Sequence, residues 1–410
     1  MKKKRILALL LSALLLGTCP VYGEEAETVE PVNAEEEEGA EAPETSDPMP
    51  KGVKELCQIC DQAEGKEILE LGDMPGLRAD TRASIEQVIS RIEDKQYQVS
   101  FLLLDLKTGQ GYSRNPEYVY FGGDSIQGPY AAALAEKIVD EGTAALTDQL
   151  ERDSVTEEEG SGTIKEDPAG TSYTLQEVLN RTVSGSDRMG YAMLRKAYGS
   201  EFFGKWLKGG NVETSYAGKQ WPSYDVRTLS KMWISIYEYF QSGRGISAQL
   251  ISSFEGAEGS VITEAVKERY TAYAKPGRSA DAENPAWHDA ALVMAGDAPY
   301  LMVLMTDIPW QEENKEYKAV LTELAGYLDQ AHEEVFPQPT PEPEQTEPVS
   351  VSQVPEQEEK KPIRIPAAVW ICAAILLAGG GFFAFRVRSV RRERELQKQQ
   401  WEASKKRRRS

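Results

Sequence analysis

Phe121-Gly122-Gly123-Asp124-Ser125-Ile126-Gln127-Gly128-Pro129-Tyr130 sets a serine at the point where an Ala-rich run begins. Ser125 to Gly142 reads as a buried helix that stops at a glycine, which puts Ser125 in its first turn. Upstream, Ala83 to Ile92 carries Ile85, Val88, Ile89 and Ile92 at helical spacing. Tyr97 to Leu106 is an apolar run of strand length, and Lys107-Thr108-Gly109-Gln110 turns it into Gly111-Tyr112-Ser113 as a hairpin. Downstream, Thr174 to Asn180 and Asp187 to Ala197 read as helices around a polar turn. Val226 to Phe240 has Leu229, Met232, Trp233, Ile236 and Phe240 on one stripe. Tyr270 to Ala274, Ala290 to Ala295 and Tyr300 to Thr306 read as strands, and Tyr317 to Phe336 as a closing helix with Val320, Leu321, Leu324 and Leu328 apolar. Strands at both ends and helices between them predict an α+β fold. Its antiparallel sheet is assembled from both chain ends and flanked by helices, with an all-helical insertion and a cleft between the two parts.

Outward from this core the composition changes sharply. Met1 to Gly23 pairs Lys2, Lys3, Lys4 and Arg5 with the apolar run Ile6 to Leu16, the pattern of a signal peptide. Leu16-Gly17-Thr18-Cys19 resembles a lipoprotein cleavage box with an unusual Thr before the Cys. Residues 24–50 hold eleven acidic and no basic side chains, too charged to bury a core, and read as a disordered linker. Residues 51–82 form an N-terminal extension and 83–336 the main domain. Residues 337–364 form a Pro/Glu-rich stalk, with seven prolines between Pro337 and Pro362. Ile365 to Phe385 runs for twenty-one residues without a charge, long enough to cross about 30 Å of hydrocarbon. Arg386, Arg388, Arg391, Arg392 and Arg394 follow at once and make 386–410 a basic cytoplasmic tail. The expected location is the cell membrane, in a single pass with the domain outside.

The formal charge of −20 argues against a nucleic-acid partner. With four positive charges up to Gly23 and a net eight after Phe385, the stretch between carries −32, so its surface repels anionic polymers. Of the four cysteines, Cys19 falls in the signal and Cys372 in the membrane span. Cys57-Gln58-Ile59-Cys60 is too sparse a set for zinc and reads as a local disulfide on an exposed segment. No metal or cofactor is expected, and oligomeric state is not encoded in any pattern.

Three short segments carry the chemistry: Ser125 at the helix start, Ser184-Gly185-Ser186-Asp187-Arg188 in the loop between the middle helices, and Lys275-Pro276-Gly277 after the first late strand. In order and placement they resemble the S-x-x-K, S-D-N and K-T-G motifs of the serine β-lactamase and penicillin-binding-protein family, most closely class A β-lactamases. The resemblance runs from about Ala83 to Phe336 and takes in the D-x-x-T-G hairpin at Asp105 to Gly109, Asp289 at the start of a late strand and the final helix. It implies Ser125 as nucleophile, Ser186 as proton relay and Lys275 as the cation for a substrate carboxylate, with Asp187, Arg188 and Gly277 lining the substrate. The implied partners are a peptidoglycan peptide or a β-lactam-like ligand.

The departures from the family pattern are as informative. The activating Lys is replaced by Gly128, the Asn of the second motif by Arg188 and the middle Thr of the third by Pro276. No serine in the sequence has a Lys three residues on, so the gap is no slip of register. Class A members also use a Glu before the long amphipathic helix. Here Gly209 to Asp225 holds only Glu213, without an E-x-x-L-N pattern. Loss of a general base costs a factor of about 10² to 10⁴. The expectation is a catalytically degenerate domain, the alternative an active serine hydrolase of β-lactamase or D-Ala-D-Ala peptidase type with a rewired base. Ser125 itself then has two readings, nucleophile or backbone-bonded first-turn residue. His288 reads as a strand-start residue and His332 as a surface residue of the last helix.

Overall fold

The computed structural model describes residues 51–153 and 160–337. The signal peptide, the acidic linker, the stalk beyond Pro337, the span Ile365–Phe385 and the basic tail lie outside the described residues. Among the described residues no helix is long and apolar enough to cross a membrane.

Along the chain the elements are α1 (Val53–Gln62), β1 (Leu69–Leu71), α2 (Ala79–Glu93), β2 (Val99–Asp105), β3 (Gly111–Arg114) and β4 (Tyr120–Phe121). A 3₁₀ turn, Gly123–Ile126, leads into α3 (Gln127–Leu134), which loosens into a π turn at Ala135–Val139. Next come β5 (Gln149–Glu151), β6 (Ser172–Thr174), α4 (Leu175–Ser184), α5 (Arg188–Tyr198), α6 (Glu201–Gly209), β7 (Ser223–Tyr224), α7 (Val226–Ser242), α8 (Ser247–Glu255) and α9 (Val261–Val266). The chain closes with β8 (Thr271–Ala274), β9 (Gly277–Ser279), β10 (Ala286–Met294), β11 (Tyr300–Thr306) and α10 (Lys315–Val335). The continuous helix expected over Ser125 to Gly142 is thus three pieces, and Asp289 sits inside β10 rather than at its start.

The main sheet is antiparallel, in the order β1-β3-β2-β11-β10-β8, with β9 also on β10. Both faces are covered, so the central strand β2 is buried along its whole length. Period-2 alternation sorts its side chains. Phe101 and Leu103 join Ile85, Ile92, Val261, Leu324 and Leu328 on the side of α2, α9 and α10, while Leu102 and Leu104 join Met232, Trp233 and Ile236 of α7 on the other. Local signals fix the helix ends. Asp225 caps α7 by accepting from the Thr228 N–H, and Gly243 ends it in the left-handed region at φ +59°. Thr174 and Glu177 form a capping box on α4.

Two sequence expectations are corrected here. Cys57 and Cys60 are neither exposed nor bonded to each other. They lie with Leu56 and Ile59 on the buried face of α1, which packs on α7, and the Cys57 thiol donates to the Gly210 carbonyl at 3.4 Å. Burial pushes the Cys57 thiol up to about 12, so both sulfurs behave as small apolar groups. The residues before Ala83 are therefore built into the fold, since α1 packs on α7 and β1 extends the sheet through β3.

His332 is buried, not at the surface, because the last turn of α10 lies over the hairpin. Its Nε2 meets Asp105 Oδ2 at 3.2 Å, and its ring lies on Tyr300, centroids 4.2 Å apart. Asp105 Oδ1 accepts from the Thr108 N–H and hydroxyl and from the Lys107 N–H. Burial pushes the Asp105 carboxyl up, but the His332 and Thr108 donors outweigh it and hold the pKa below the usual value. A depressed folded pKa stabilises the fold above the unfolded value of about 3.9, and that stabilisation is lost as pH falls through the folded value. Asp105→Asn is expected to cost about 1–3 kcal/mol at pH 7 and to flatten the acid limb of the stability profile. Urea unfolding at pH 7 and pH 3.5 measures both.

Candidate active site

The fold brings all three motif segments to one centre. Lys275 directly follows β8, and its N–H stays in the ladder by donating to the Ala290 carbonyl. Ser186, at φ +53°, ends the turn between α4 and α5 and faces it. The Lys275 ammonium donates to Ser186 Oγ at 2.5 Å and to the Pro276 carbonyl at 3.3 Å. Both side chains are buried, Lys275 completely. Burial lowers the Lys275 pKa to about 7. Asp124 and Asp289 pull it back up, while Arg278 and Arg188 oppose them.

Ser125 is fully buried in the 3₁₀ turn. Its hydroxyl donates to the Gly122 carbonyl at 2.6 Å, and its Oγ lies 2.6 Å from the Tyr224 hydroxyl. A serine has one proton, and here it rests on a carbonyl. The Tyr224 proton must therefore point at Oγ, where it occupies a lone pair. Burial raises the Tyr224 pKa above its ordinary value, which leaves it a donor and not a base. Among the described residues no Lys, His, Asp or Glu hydrogen-bonds Ser125.

The reason for this arrangement lies in two glycines. A Cβ on Gly277 would stand 2.6 Å from the Ser125 Cβ and 3.0 Å from the Ser125 N and Gly122 O, so the start of β9 rests directly on the serine. A Cβ on Gly128 would stand 3.1 Å from the Phe254 ring and 3.2–3.3 Å from Cγ and Cβ of Lys275. The stem of Lys275 thus fills the space that a longer side chain at 128 would need.

The remaining sequence candidates hold the frame. Asp187 caps α5 by accepting from the Gly190 N–H, and its other oxygen accepts from the Thr163 and Ile164 N–H groups. All its acceptors face backbone. Arg188 crosses the mouth of the centre: Nε donates to Asp124 at 2.7 Å, Nη2 donates to the Arg278 carbonyl at 2.9 Å, and the guanidinium lies 5.1 Å from the Trp221 ring centre. It ties the serine turn to β9. Glu213 lies at the surface, within reach of Ser215 at 3.4 Å. His288 does not reach Ser125. Its Nδ1 accepts from the Thr306 N–H, so Nε2 carries the proton and donates to the Phe121 carbonyl at 2.8 Å; burial lowers its pKa to about 4, so it is neutral.

Two participants escape a reading of the sequence. Tyr224 does so because the family pattern points to a glutamate in the loop before α7. Its one local signal is the position just before the Asp225 cap. Arg278 follows Gly277 and belongs to no motif.

A buried lysine with a lowered pKa gives a signed prediction. Between about pH 7 and the unfolded lysine value near 10.4 the unfolded chain binds more protons, so stability rises with pH, by up to about 1.4 kcal/mol per unit. Lys275→Met should remove that slope, as read from urea midpoints between pH 7 and 9.

The sequence model of the β-lactamase enzyme family matches residues 81–329. No curated protein matches at a significant level. Among solved structures, a mutant of PBP-A captured as its acyl-enzyme complex with penicillin G is 17% identical, covers 64% of this chain and 100% of that one, and superposes with a TM-score of 0.52. A β-lactamase from Sphaerobacter thermophilus is 13% identical over 61% of this chain and 97% of its own, TM-score 0.52. A variant of the last common ancestor of Gram-negative class A β-lactamases is 16% identical over 61% and 98%, TM-score 0.51. At these identities the likeness is one of fold.

Proposed function

The chain belongs to the β-lactamase enzyme family, and on that premise we propose that it is a membrane-anchored extracytoplasmic domain that binds a cell-wall peptide or β-lactam-like ligand without acylating Ser125. The observation that carries the reading is the state of that serine: its proton lies on the Gly122 carbonyl, its oxygen faces Tyr224, and Gly277 lies against it. A nucleophilic serine needs a base within reach of its proton and room for a carbonyl at Oγ. Among the described residues no such base hydrogen-bonds Ser125, its side chain is fully buried, and Gly128 supplies no amine. The oriented anchor rests on the apolar run Ile365–Phe385 with its arginine flank, and the export on the basic and apolar leader before Gly23.

One observation favours a second reading, an active hydrolase with a rewired base. Lys275 has a pKa of about 7 and donates to Ser186, so near neutral pH it is poised to exchange a proton through that hydroxyl. The reading requires Ser125 to leave both present partners and β9 to lift.

Incubation of the full chain with a fluorescent penicillin separates the two. The expected result is no covalent band. A band that disappears in Ser125→Ala would overturn the first reading, and one lost in Lys275→Met as well would establish the second. Membrane placement has its own check. A protein cut before Ile365 is expected in the soluble extracytoplasmic fraction, and the full chain in the membrane with its domain open to added protease. Protection of the domain in intact cells would reverse the assigned topology.

A further inference from the structure

Tyr224 reaches Ser125 from the end of the 210–225 loop, and both ends of that loop are held by the N-terminal extension. At its start the Cys57 thiol of α1 donates to the Gly210 carbonyl at 3.4 Å, and the Asn211 amide donates to Asp61 at 2.9 Å. At its close Arg227 bridges the Ala63 carbonyl, at 3.2 Å, and the Asp225 carboxylate, at 2.9 Å. Asp225 is the residue after Tyr224. The middle of the loop rests on α5, through Arg195 to the Ala217 carbonyl at 3.0 Å and the Tyr191 hydroxyl to the Gln220 carbonyl at 3.3 Å. From there it runs alongside the serine turn, where the Gly122 N–H donates to the Pro222 carbonyl at 3.0 Å.

Helix α1 is built to hold only while docked. A helix of ten residues is marginal in water by itself, so its stability comes from the face it buries. That face is Leu56, Cys57, Ile59 and Cys60, set chiefly against α7, and two of the four are thiols, which bury less apolar area than leucines. Asp61 adds the Lys231 ammonium at 2.7 Å, a partly exposed pair that contributes little alone. Such a helix opens at lower free energy than the sheet, whose strands β2 and β11 are buried along their whole length. When it opens, its ties to Gly210, Asn211 and Arg227 are lost together.

We propose that α1 is an intramolecular lock on the serine: docked on α7 it fixes the 210–225 loop and with it Tyr224 on Ser125, and its release frees both. The inference rests on the reading of Ser125 as closed and supplies what keeps it so. The family match begins at residue 81, so the lock lies in a segment outside that match. Closure of the serine then depends on an element that lifts without unfolding the sheet.

Cys57 and Cys60 are natural probes of this opening, the only cysteines among the described residues and both buried while α1 is docked. The Cys57 thiol, pushed up to about 12 in the docked helix, returns to about 8.5 in water, so N-ethylmaleimide reacts with the undocked form. An alkylated cysteine no longer fits the buried face and holds α1 off. The full chain in detergent is labelled at about pH 7.5 without denaturant, and hydrogen exchange read by mass spectrometry compares labelled with unlabelled molecules. Labelling of the α1 peptide is expected, with exchange about tenfold faster across 210–225 and in the serine turn, and unchanged in β2 and β11. Asp61→Ala, which severs Asn211 and Lys231 at once, should speed the labelling about two- to fivefold. No labelling at either cysteine, labelling that leaves 210–225 or the serine turn as protected as before, labelling accompanied by faster exchange in β2 and β11, or an unchanged rate in Asp61→Ala would each overturn the proposal. A fluorescent-penicillin band on the unlabelled chain would sink the non-acylating reading without touching the exchange result. Protection of the loop in the labelled chain would sink the lock and leave that reading intact.

Discussion

Strand β2 pairs with β11 residue for residue, Val99 opposite Thr306 and Asp105 opposite Tyr300, so the beginning and the end of the domain lie side by side at the centre of one sheet. Everything inserted between them must leave this seam and return to it. Closing so long a loop is unfavourable, although the cost grows only slowly with length, and two-sided burial of the paired strands offsets it. The seam sets where the helical part can sit. It also places β8, β9 and β10 on one flank, and with them Lys275 and Gly277 against the 3₁₀ turn that holds Ser125.

Within that frame the centre is closed by mutual accommodation. With glycine at 128, the stem of Lys275 lies where a second lysine would have to stand, and at 3.1–3.3 Å the Phe254 ring and the Lys275 stem would have to shift by a few tenths of an ångström for a new Cβ alone. Restoring Lys at 128 alone would overpack the site, because Lys275 would have to give way first. Tyr224 and the Gly122 carbonyl satisfy the serine in the meantime, which is the ordinary fate of a buried hydroxyl. The family's three segments are still gathered at one place, but their polar groups answer to each other.

Arg188 stands where the family pattern has the Asn of the second motif. Arg188 binds Asp124 and the β9 backbone together, and so fixes the strand that covers Ser125. Closure of the serine is therefore a consequence of the packing of β9 on the serine turn.

Much of this was legible in the sequence. Helical spacing in Ala83 to Ile92 and Val226 to Phe240 and the continuous apolar run of β2 are local patterns, and they determined the α+β layout and the order of the motif segments. The missing lysine at 128 is likewise a matter of letters. Partnership is not local, and the tertiary structure alone decided it. Cys57 and Cys60 are too few to reveal that their helix docks on α7. His332 has a polar ring that reads as surface until Asp105 arrives from the far end of the chain. Tyr224 reaches Ser125 only because β7 pairs with β4, a contact of two residues with no pattern to announce it. Sequence sets which groups a segment offers; whether a buried proton, charge or thiol finds a partner depends on atoms that other segments bring within about 3 Å of it.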